Sequence, residues 1–543
     1  MRLVKLAAAA LNQTPLDWEG NRANIVAALR AARRQRAAIV CLPELCITGY
    51  GCEDAFLSPG IREMAQRVLL EILPETNGMV VSLGLPLLHG GSVYNTACLA
   101  ADGKILGLVG KQNLANDGIH YEPRWFRPWP RSKHAETEVG GQIVPIGDLI
   151  FHCGDVRIGY EICEDAWVPD RPGAELAIDG VDLLLNPSAS HFAFAKQAIR
   201  QRLVLDGSRA FATAYVYANL LGNEAGRALY DGGNMIASQG EMLAEQTRFS
   251  FAEFQLTTAV VDLDDVRSGR AERGGFEADE SHRRKFVVRS NFTPPRCELE
   301  TPATTLPAWE AGKSVKEEEF SRAVALGLFD YLRKSRSGGF VVSLSGGADS
   351  SAVSTLVAMM VRFALAELGI DMLRDKLSWL RGLAAANEER AIVENLLTCV
   401  YQSTRNSGPI TRAAAAGLAR AIGARFFEFD VDPLLETYVA TVEKAIGRPL
   451  AWETDDIALQ NIQARVRSPG VWLLANLSGS LLLSTSNRSE AAVGYATMDG
   501  DTSGGLSPIA GIDKAFLRYW LRWMETQGPE GIGPLPALRA VNE

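Results

Sequence analysis

Residues 343–351 read SLSGGADSS, after the apolar run Gly339-Phe340-Val341-Val342 and before Ala352-Val353-Ser354-Thr355-Leu356-Val357. The order is strand, tight glycine loop, helix start. Gly346 and Gly347 let the backbone fold closely around phosphate oxygens, and a helix N-terminus aims free N–H groups at them. Ser345, Ser350 and Ser351 add hydroxyl donors. Asp349 is the informative letter: a carboxylate repels phosphate unless a divalent cation lies between them, so Mg²⁺ is expected here. No Gly-Lys-Ser/Thr is present in the loop, which excludes the Walker type that serves γ-phosphate transfer. The plain alternative is a glycine turn before an ordinary helix. The fixed letters of Ser-Gly-Gly-x-Asp-Ser arise by chance roughly once in a thousand chains of this length.

Outward from the loop, Lys316-Glu317-Glu318-Glu319 opens a helix with one broad apolar face (Phe320, Val324, Leu326, Leu328, Phe329, Leu332), and Arg425–Phe429 reads as a strand. Strands alternating with helices predict a parallel sheet with ligands at the strand C-termini. A dense polar stretch follows: IALQNIQARVR with Arg465 and Arg467, STSNRSEAAVGYATMDGD with Thr485 and Glu490, then LSPIAGIDK with Lys514. Glu490 is a second carboxylate able to share a cation with Asp349, and a capping glutamate at a helix N-terminus is the alternative. For Arg465 the alternative is a solvated helix face. Pro469 should kink or restart the helix around it.

Upstream, residues 1–265 alternate short apolar runs with helical segments, and charged or nucleophilic residues follow the runs: Glu44 in LPELCITGYGCED, Lys111 in VGKQNLANDGIHYEPRWF, Cys163 in GYEICEDAW. A thiol attacks an amide carbon well when a base takes its proton and a cation steadies the oxyanion. Taken singly, each is weak, since a lone cysteine is usually core and a lone lysine usually surface. Residues 266–314 turn charged, with prolines at 294, 295, 302 and 307, and read as a linker or surface arm before a second domain over 315–543.

The chain has 543 residues, net charge −9, 47% hydrophobic and 22% charged residues. That is ordinary globular composition with room for two or three domains. The acidic balance argues against nucleic acid as a partner. Eight cysteines lack any Cys-x-x-Cys pair, and the six histidines all precede residue 283, so neither zinc nor a histidine metal centre near Asp349 is expected. No apolar stretch is expected to reach membrane-spanning length, and a cytoplasmic location is expected.

With these residues quoted, two resemblances can be stated. The set Glu44, Lys111, Cys163 in this order resembles the nitrilase (carbon–nitrogen hydrolase) superfamily over roughly residues 1–265. By that resemblance the fold is an α-β-β-α sandwich, Cys163 is the nucleophile, Glu44 the general base, Lys111 the oxyanion stabiliser, and Glu122 a second ordering glutamate. Ser190 and Lys196, in NPSASHFAFAK, match the stretch that holds glutamine in amide-transferring members; the alternative for them is a helix cap and a surface lysine. Asp117 stands where bacterial members commonly carry tyrosine, which leaves open how the glutamine amino group is held. SGGADSS resembles the PP-loop of ATP pyrophosphatases, and with the 457–514 stretch it resembles NAD synthetase, on a Rossmann-like domain with a parallel sheet.

The two together resemble the glutamine-dependent NAD(+) synthetase family, a ligase class. The resemblance implies that Ser345, Gly346, Gly347, Asp349, Ser350, Thr485 and Lys514 contact ATP. It implies further that Asp349 and Glu490 hold Mg²⁺, that Arg465 touches deamido-NAD, and that ammonia passes through an internal channel. Ser403 and Arg405 fall near the family's nucleotide loop. Met498 and Gly505 replace a lysine and an aspartate of the ammonia-only members, so those contacts are not carried over. Family members continue past the equivalent of Glu543 with segments covering the active site. Two readings stay open: a synthetase domain lacking that lid, or a longer protein of which this is part. The alternative function is a nucleotide-binding regulatory protein with an inactive synthetase half. A homo-oligomer, at least a dimer, is expected through Val471–Leu474 and Phe516–Trp523 of the second domain.

Overall fold

A computed structural model describes residues 1–273, 275–276, 285–300, 306–405 and 407–543. The chain divides into two compact units, Met1–Glu310 and Ala311–Glu543.

Unit one begins with Leu3–Leu11, LVKLAAAAL, buried along nearly its whole length. Successive side chains of a strand point to opposite faces. Leu6 and Ala8 accordingly enter one core, with Val80, Leu99, Ile158, Leu185 and Val216, whereas Ala7, Ala9 and Leu11 enter another, with Ile25, Leu29, Val68 and Leu69. The first core joins an eight-stranded sheet to a seven-stranded one; the second seats the helices Trp18–Arg34 and Pro59–Ile72 on the outer face of the eight-stranded sheet. A third core, with Leu184, Val204 and Tyr215, places the helix Lys196–Ala210 outside the other sheet. The layers are therefore α-β-β-α.

The expected surface arm over 266–314 is only partly one. The helix Leu263–Ala271 buries Leu263 and Val266, and Phe286–Ser290 pairs in parallel with Leu149–Cys153 as the edge of the seven-stranded sheet. Trp309 is buried and lies in unit one. Charge and proline content hid a strand whose apolar letters, Phe286, Val287 and Val288, are few. Residues 274, 277–284 and 301–305, Pro302 among them, lie outside the described residues.

Unit two carries a four-stranded sheet in the order Arg425–Asp430, Leu397–Ser403, Phe340–Ser343, Leu481–Leu483, parallel at every pairing. In chain order this is 3-2-1-4, so the order reverses beside Phe340–Ser343, the position where doubly wound sheets bind ligands. The helix Ala348–Lys376 follows, with Ser350 to Val361 buried throughout. Contrary to expectation, this one helix among the described residues is long and apolar enough to cross a membrane, yet most of it lies inside the unit's core. The helix around Arg465 ends there, and a new one runs Ser468–Ser478 with Pro469 in its first turn, as the missing N–H demands. Of the residues expected at a subunit contact, Trp472, Leu473 and Tyr519 are exposed, whereas Val471, Phe516, Leu517, Trp520, Leu521 and Trp523 are buried in this unit: Phe320 packs against the rings of Phe516 and Trp520, and the indole of Trp520 donates to Ser321 Oγ at 2.9 Å. An apolar helix stripe reads alike whether it faces its own core or a second subunit.

Candidate active sites

In unit one, Lys111 directly follows the strand Lys104–Gly110, Glu44 follows Ile39–Cys41 after Leu42-Pro43, and Cys163 follows Val156–Tyr160 and opens the short turn Cys163–Ala166. Lys111 Nζ lies 2.6 Å from Glu44 Oε1 and 2.8 Å from Glu122 Oε1, and all three side chains are sealed from solvent. Further donors reach both carboxylates. Glu44 accepts from Asn95 Nδ2 at 2.7 Å and from the Ala189 N–H at 3.1 Å; Glu122 accepts from the Tyr50 hydroxyl at 2.6 Å and from the Ala115 N–H at 3.1 Å.

Burial raises the pKa of Glu44 and the Glu122 charge adds to it, while Lys111 opposes both. Burial works against the Lys111 ammonium, but Glu122 and Glu44 together outweigh it and hold its pKa well above normal. Burial and the neighbouring carboxylates of Glu44 and Glu122 raise the Cys163 thiol, against the pull of Lys111. Cys163 is therefore a thiol at neutral pH and needs a base as it attacks. Its φ of +45° lies in the left-handed region, a strained elbow of the kind that collects at functional sites.

Ser190 is buried just past the strand Leu183–Ser188. Its N–H donates to Asn219 Oδ1 at 2.8 Å, and Arg200 Nε donates to its hydroxyl at 3.2 Å. It is not a helix cap: Ala195 precedes the helix that Lys196 opens. The Lys196 ammonium sits 5.5 Å from the Trp167 ring centroid and 3.4 Å from His191 Nδ1. Glu164, beside the nucleophile, is half-buried and feels the charges of Lys111, Asp117 and Lys196. Asp117 itself is exposed.

In unit two the loop after Phe340–Ser343 folds back on itself. Ser350 Oγ accepts from the Ser345 N–H at 3.2 Å and lies 3.1 Å from Ser345 Oγ. Gly346 has φ +82°, and a Cβ there would meet the Thr411 carbonyl oxygen at 2.2 Å, so only glycine fits. Asp349 accepts from Asn487 Nδ2 at 2.9 Å and pairs with the Lys514 ammonium, which is 3.7 Å from Glu490 Oε1. Glu490 also completes a capping box with Asn487, which is the alternative reading of this residue. Two carboxylates thus aim at one cationic point. Among the described residues no three His, Cys, Asp or Glu side chains form a larger metal group. Two hard, partly exposed carboxylate donors suit Mg²⁺.

A cleft of about 270 Å³ opens at the strand C-termini, lined among others by Ser345, Gln402, Arg467, Thr485, Asp501 and Ser503. Arg465 does not line it: it is exposed and donates from Nε to the Met498 carbonyl at 3.0 Å. Arg467 is the cleft's arginine, because the helix stops at Arg465 and the chain turns between the two. Arg405 faces Asp432, at 2.7 Å, and Glu436 on the neighbouring helix.

The carbon-nitrogen hydrolase family model matches residues 5–271 and the NAD synthase family model residues 320–532. The glutamine-dependent NAD(+) synthetase of Homo sapiens is 32% identical, covering 99% of this chain and 80% of its own length; that of Saccharomyces cerevisiae is 31% identical, covering 97% and 79%. The chain belongs to the glutamine-dependent NAD(+) synthetase family. The crystal structure of a family member from Cytophaga hutchinsonii is 46% identical, with a TM-score of 0.82 over 96% of this chain and 81% of that one. A second, from Acinetobacter baumannii, shares the fold at 22% identity and a TM-score of 0.74, over 100% of this chain and 85% of that one.

Sequence reasoning missed Tyr50, Asn95, Asp165 and Arg200 around the family's first site, and Asn487 in the second. Tyr50 and Asp165 stand inside the quoted motifs, six residues after Glu44 and two after Cys163. Nothing in the sequence marks Asn95 or Arg200.

Proposed function

We propose that this chain makes NAD(+) from deamido-NAD, using glutamine as nitrogen donor and ATP as activator. The observation that carries this reading is the presence, in one chain of that family, of the sealed Glu44–Lys111–Glu122 cluster beside Cys163 and of the Asp349–Lys514–Glu490 cluster beside the glycine loop. In the first site Glu44 takes the Cys163 proton as sulfur attacks the side-chain amide of glutamine, and Lys111 steadies the oxyanion. Ammonia leaves, and water clears the glutamyl thioester, giving glutamate and the free thiol. Lys196 suits the glutamine carboxylate and Glu164 its ammonium group, with Ser190 between the strand end and Arg200.

In the second site the nicotinate carboxylate of deamido-NAD attacks the α-phosphorus of ATP, pyrophosphate leaves, and ammonia then displaces AMP. Ser345, Gly346, Gly347, Ser350, Thr485 and Lys514 would cradle the phosphates, and Arg467 would face the substrate from the cleft wall. Mg²⁺, held by Asp349 and Glu490, would neutralise the departing pyrophosphate. Ammonium is no nucleophile, so ammonia must travel neutral and enclosed between the sites. The regulatory alternative has no observation in its favour. Turnover with deamido-NAD, ATP, Mg²⁺ and glutamine should yield AMP and pyrophosphate with NAD(+); ADP and phosphate would overturn the reading.

We infer also that the chain self-associates through unit two, with an apolar face additional to the exposed Trp472, Leu473 and Tyr519. The helix Asp432–Ile446 buries no residue, yet Leu434, Tyr438, Val442 and Ile446 recur every four residues along it. Such a continuous apolar stripe suits a second copy of this chain. Light scattering at micromolar concentration should show at least a dimer for the native chain and a monomer for Tyr438→Asp; a native monomer would contradict the inference.

A further inference from the structure

The structure assigns to Asp165 the task of fixing where Lys111 stands relative to Cys163, a role that rests on the two-site reading above. Asp165 lies two residues past the nucleophile and is 2% exposed. Its Oδ2 accepts from the Ile162 N–H at 3.0 Å, immediately before the strained Cys163 elbow. Its Oδ1 accepts from the N–H groups of Gln112 at 3.2 Å and Asn113 at 2.7 Å, and from Asn113 Nδ2 at 3.0 Å, immediately after Lys111. One carboxylate therefore joins the turn that carries the nucleophile to the loop that carries the oxyanion cation. These segments are some fifty residues apart and belong to different sheets, since Lys104–Gly110 lies in the eight-stranded sheet and Val156–Tyr160 in the seven-stranded one. Asn95 on Glu44 and Tyr50 on Glu122 brace the other members of the site but do not reach the Cys163 turn.

All four partners are donors, so the site calls for a group that only accepts. Asparagine keeps the shape but turns an NH₂ toward either the Ile162 N–H or the Asn113 side, releasing one of the two segments. Misplacement of reacting groups by about 1 Å costs on the order of 10²-fold in rate. Asp165 touches neither substrate nor the reacting sulfur, so it is a positioning residue.

The test uses the full chain. Asp165→Asn should lower kcat for glutamine hydrolysis by roughly 10²-fold with KM for glutamine little changed, and slow the labelling of Cys163 by a glutamine-mimicking diazoketone to the same degree. Asn113→Ala, which removes one of the four donors, should give a smaller loss of the same kind. Ammonia-driven synthesis should persist in both. An unchanged kcat in Asp165→Asn would overturn the assignment. So would a rise in KM with kcat intact, or a kcat loss matched by a proportionate fall in the thermal stability of the N-terminal unit. If the glutamine-driven reaction itself were absent in the native chain while diazoketone labelling still separated the two variants, the function reading would fail and the assignment would stand.

Discussion

Lys111 in the N-terminal unit and Lys514 in the C-terminal unit each bridge two carboxylates, but Lys111, Glu44 and Glu122 are wholly enclosed, whereas Lys514 is 39% exposed, Asp349 17% and Glu490 26%. Each enclosed charge costs several kcal/mol to take out of water, and the cost is offset because both oxygens of each carboxylate in that cluster have a donor. That site is assembled once, on folding, with its reacting groups already in place. The C-terminal cluster holds its charges where water still reaches them. Its lysine can exchange carboxylate contacts for phosphate, and its carboxylates can accept a metal, without opening a core. The contrast separates a reaction chamber that the chain completes alone from a cradle that its substrates complete.

The largest expected effect is at the enclosed site. Glu44→Gln should reduce glutamine hydrolysis by roughly 10²–10⁴-fold, the usual contribution of a general base, because the burial-raised Cys163 thiol then keeps its proton. Assay of glutamate release checks it, and ammonia-driven synthesis should be untouched. If the two activities fall together, the enclosed chamber is not independent of the cradle.

At the open site, Asp349→Asn should raise the Mg²⁺ concentration needed for half-maximal ammonia-driven synthesis by at least roughly tenfold, the scale lost when even an outer partner of a metal site is removed. A Mg²⁺ titration with pyrophosphate as readout checks it. An unchanged Mg²⁺ requirement would remove Asp349 from the cation site.

The smallest effect concerns pH. Burial, helped by the cations of Lys196 and Arg200 and by His120, lowers the His191 imidazole to about 4. The unfolded chain binds that proton near pH 6.5 and the folded unit refuses it until near pH 4. The N-terminal unit therefore loses stability as pH falls through that window and is indifferent to it above. The melting temperature of His191→Asn should fall less steeply than that of the native chain between pH 6.5 and 4.5. Equal slopes would show that His191 is not held neutral.

Much of this was legible in the sequence where chemistry and local pattern coincide. SLSGGADSS announced strand, loop and helix because the glycines, the hydroxyls and Asp349 are contiguous. Glu44, Lys111 and Cys163 each end an apolar run. What supports them was hidden, because the supporting contacts span long stretches of chain: Tyr50 to Glu122 over 72 residues, Asn487 to Asp349 over 138, Ala189 to Glu44 over 145. That Arg467 rather than Arg465 lines the cleft was hidden because the exposed side of a helix end cannot be told from its lining side without the turn at Val466. The strand Phe286–Ser290 was masked by the charge around it, and Trp520 by the ambiguity of any amphipathic stripe.

The central claim, two separate sites with separate chemistry in one chain, is tested most directly by Cys163→Ala assayed with deamido-NAD, ATP and Mg²⁺, once with glutamine and once with ammonium, reading NAD(+) and AMP. NAD(+) synthesis from glutamine should vanish while synthesis from ammonium stays near the native rate, with AMP formed in step with NAD(+). Loss of both activities in a protein that remains folded, or persistence of the glutamine-driven reaction, would contradict it.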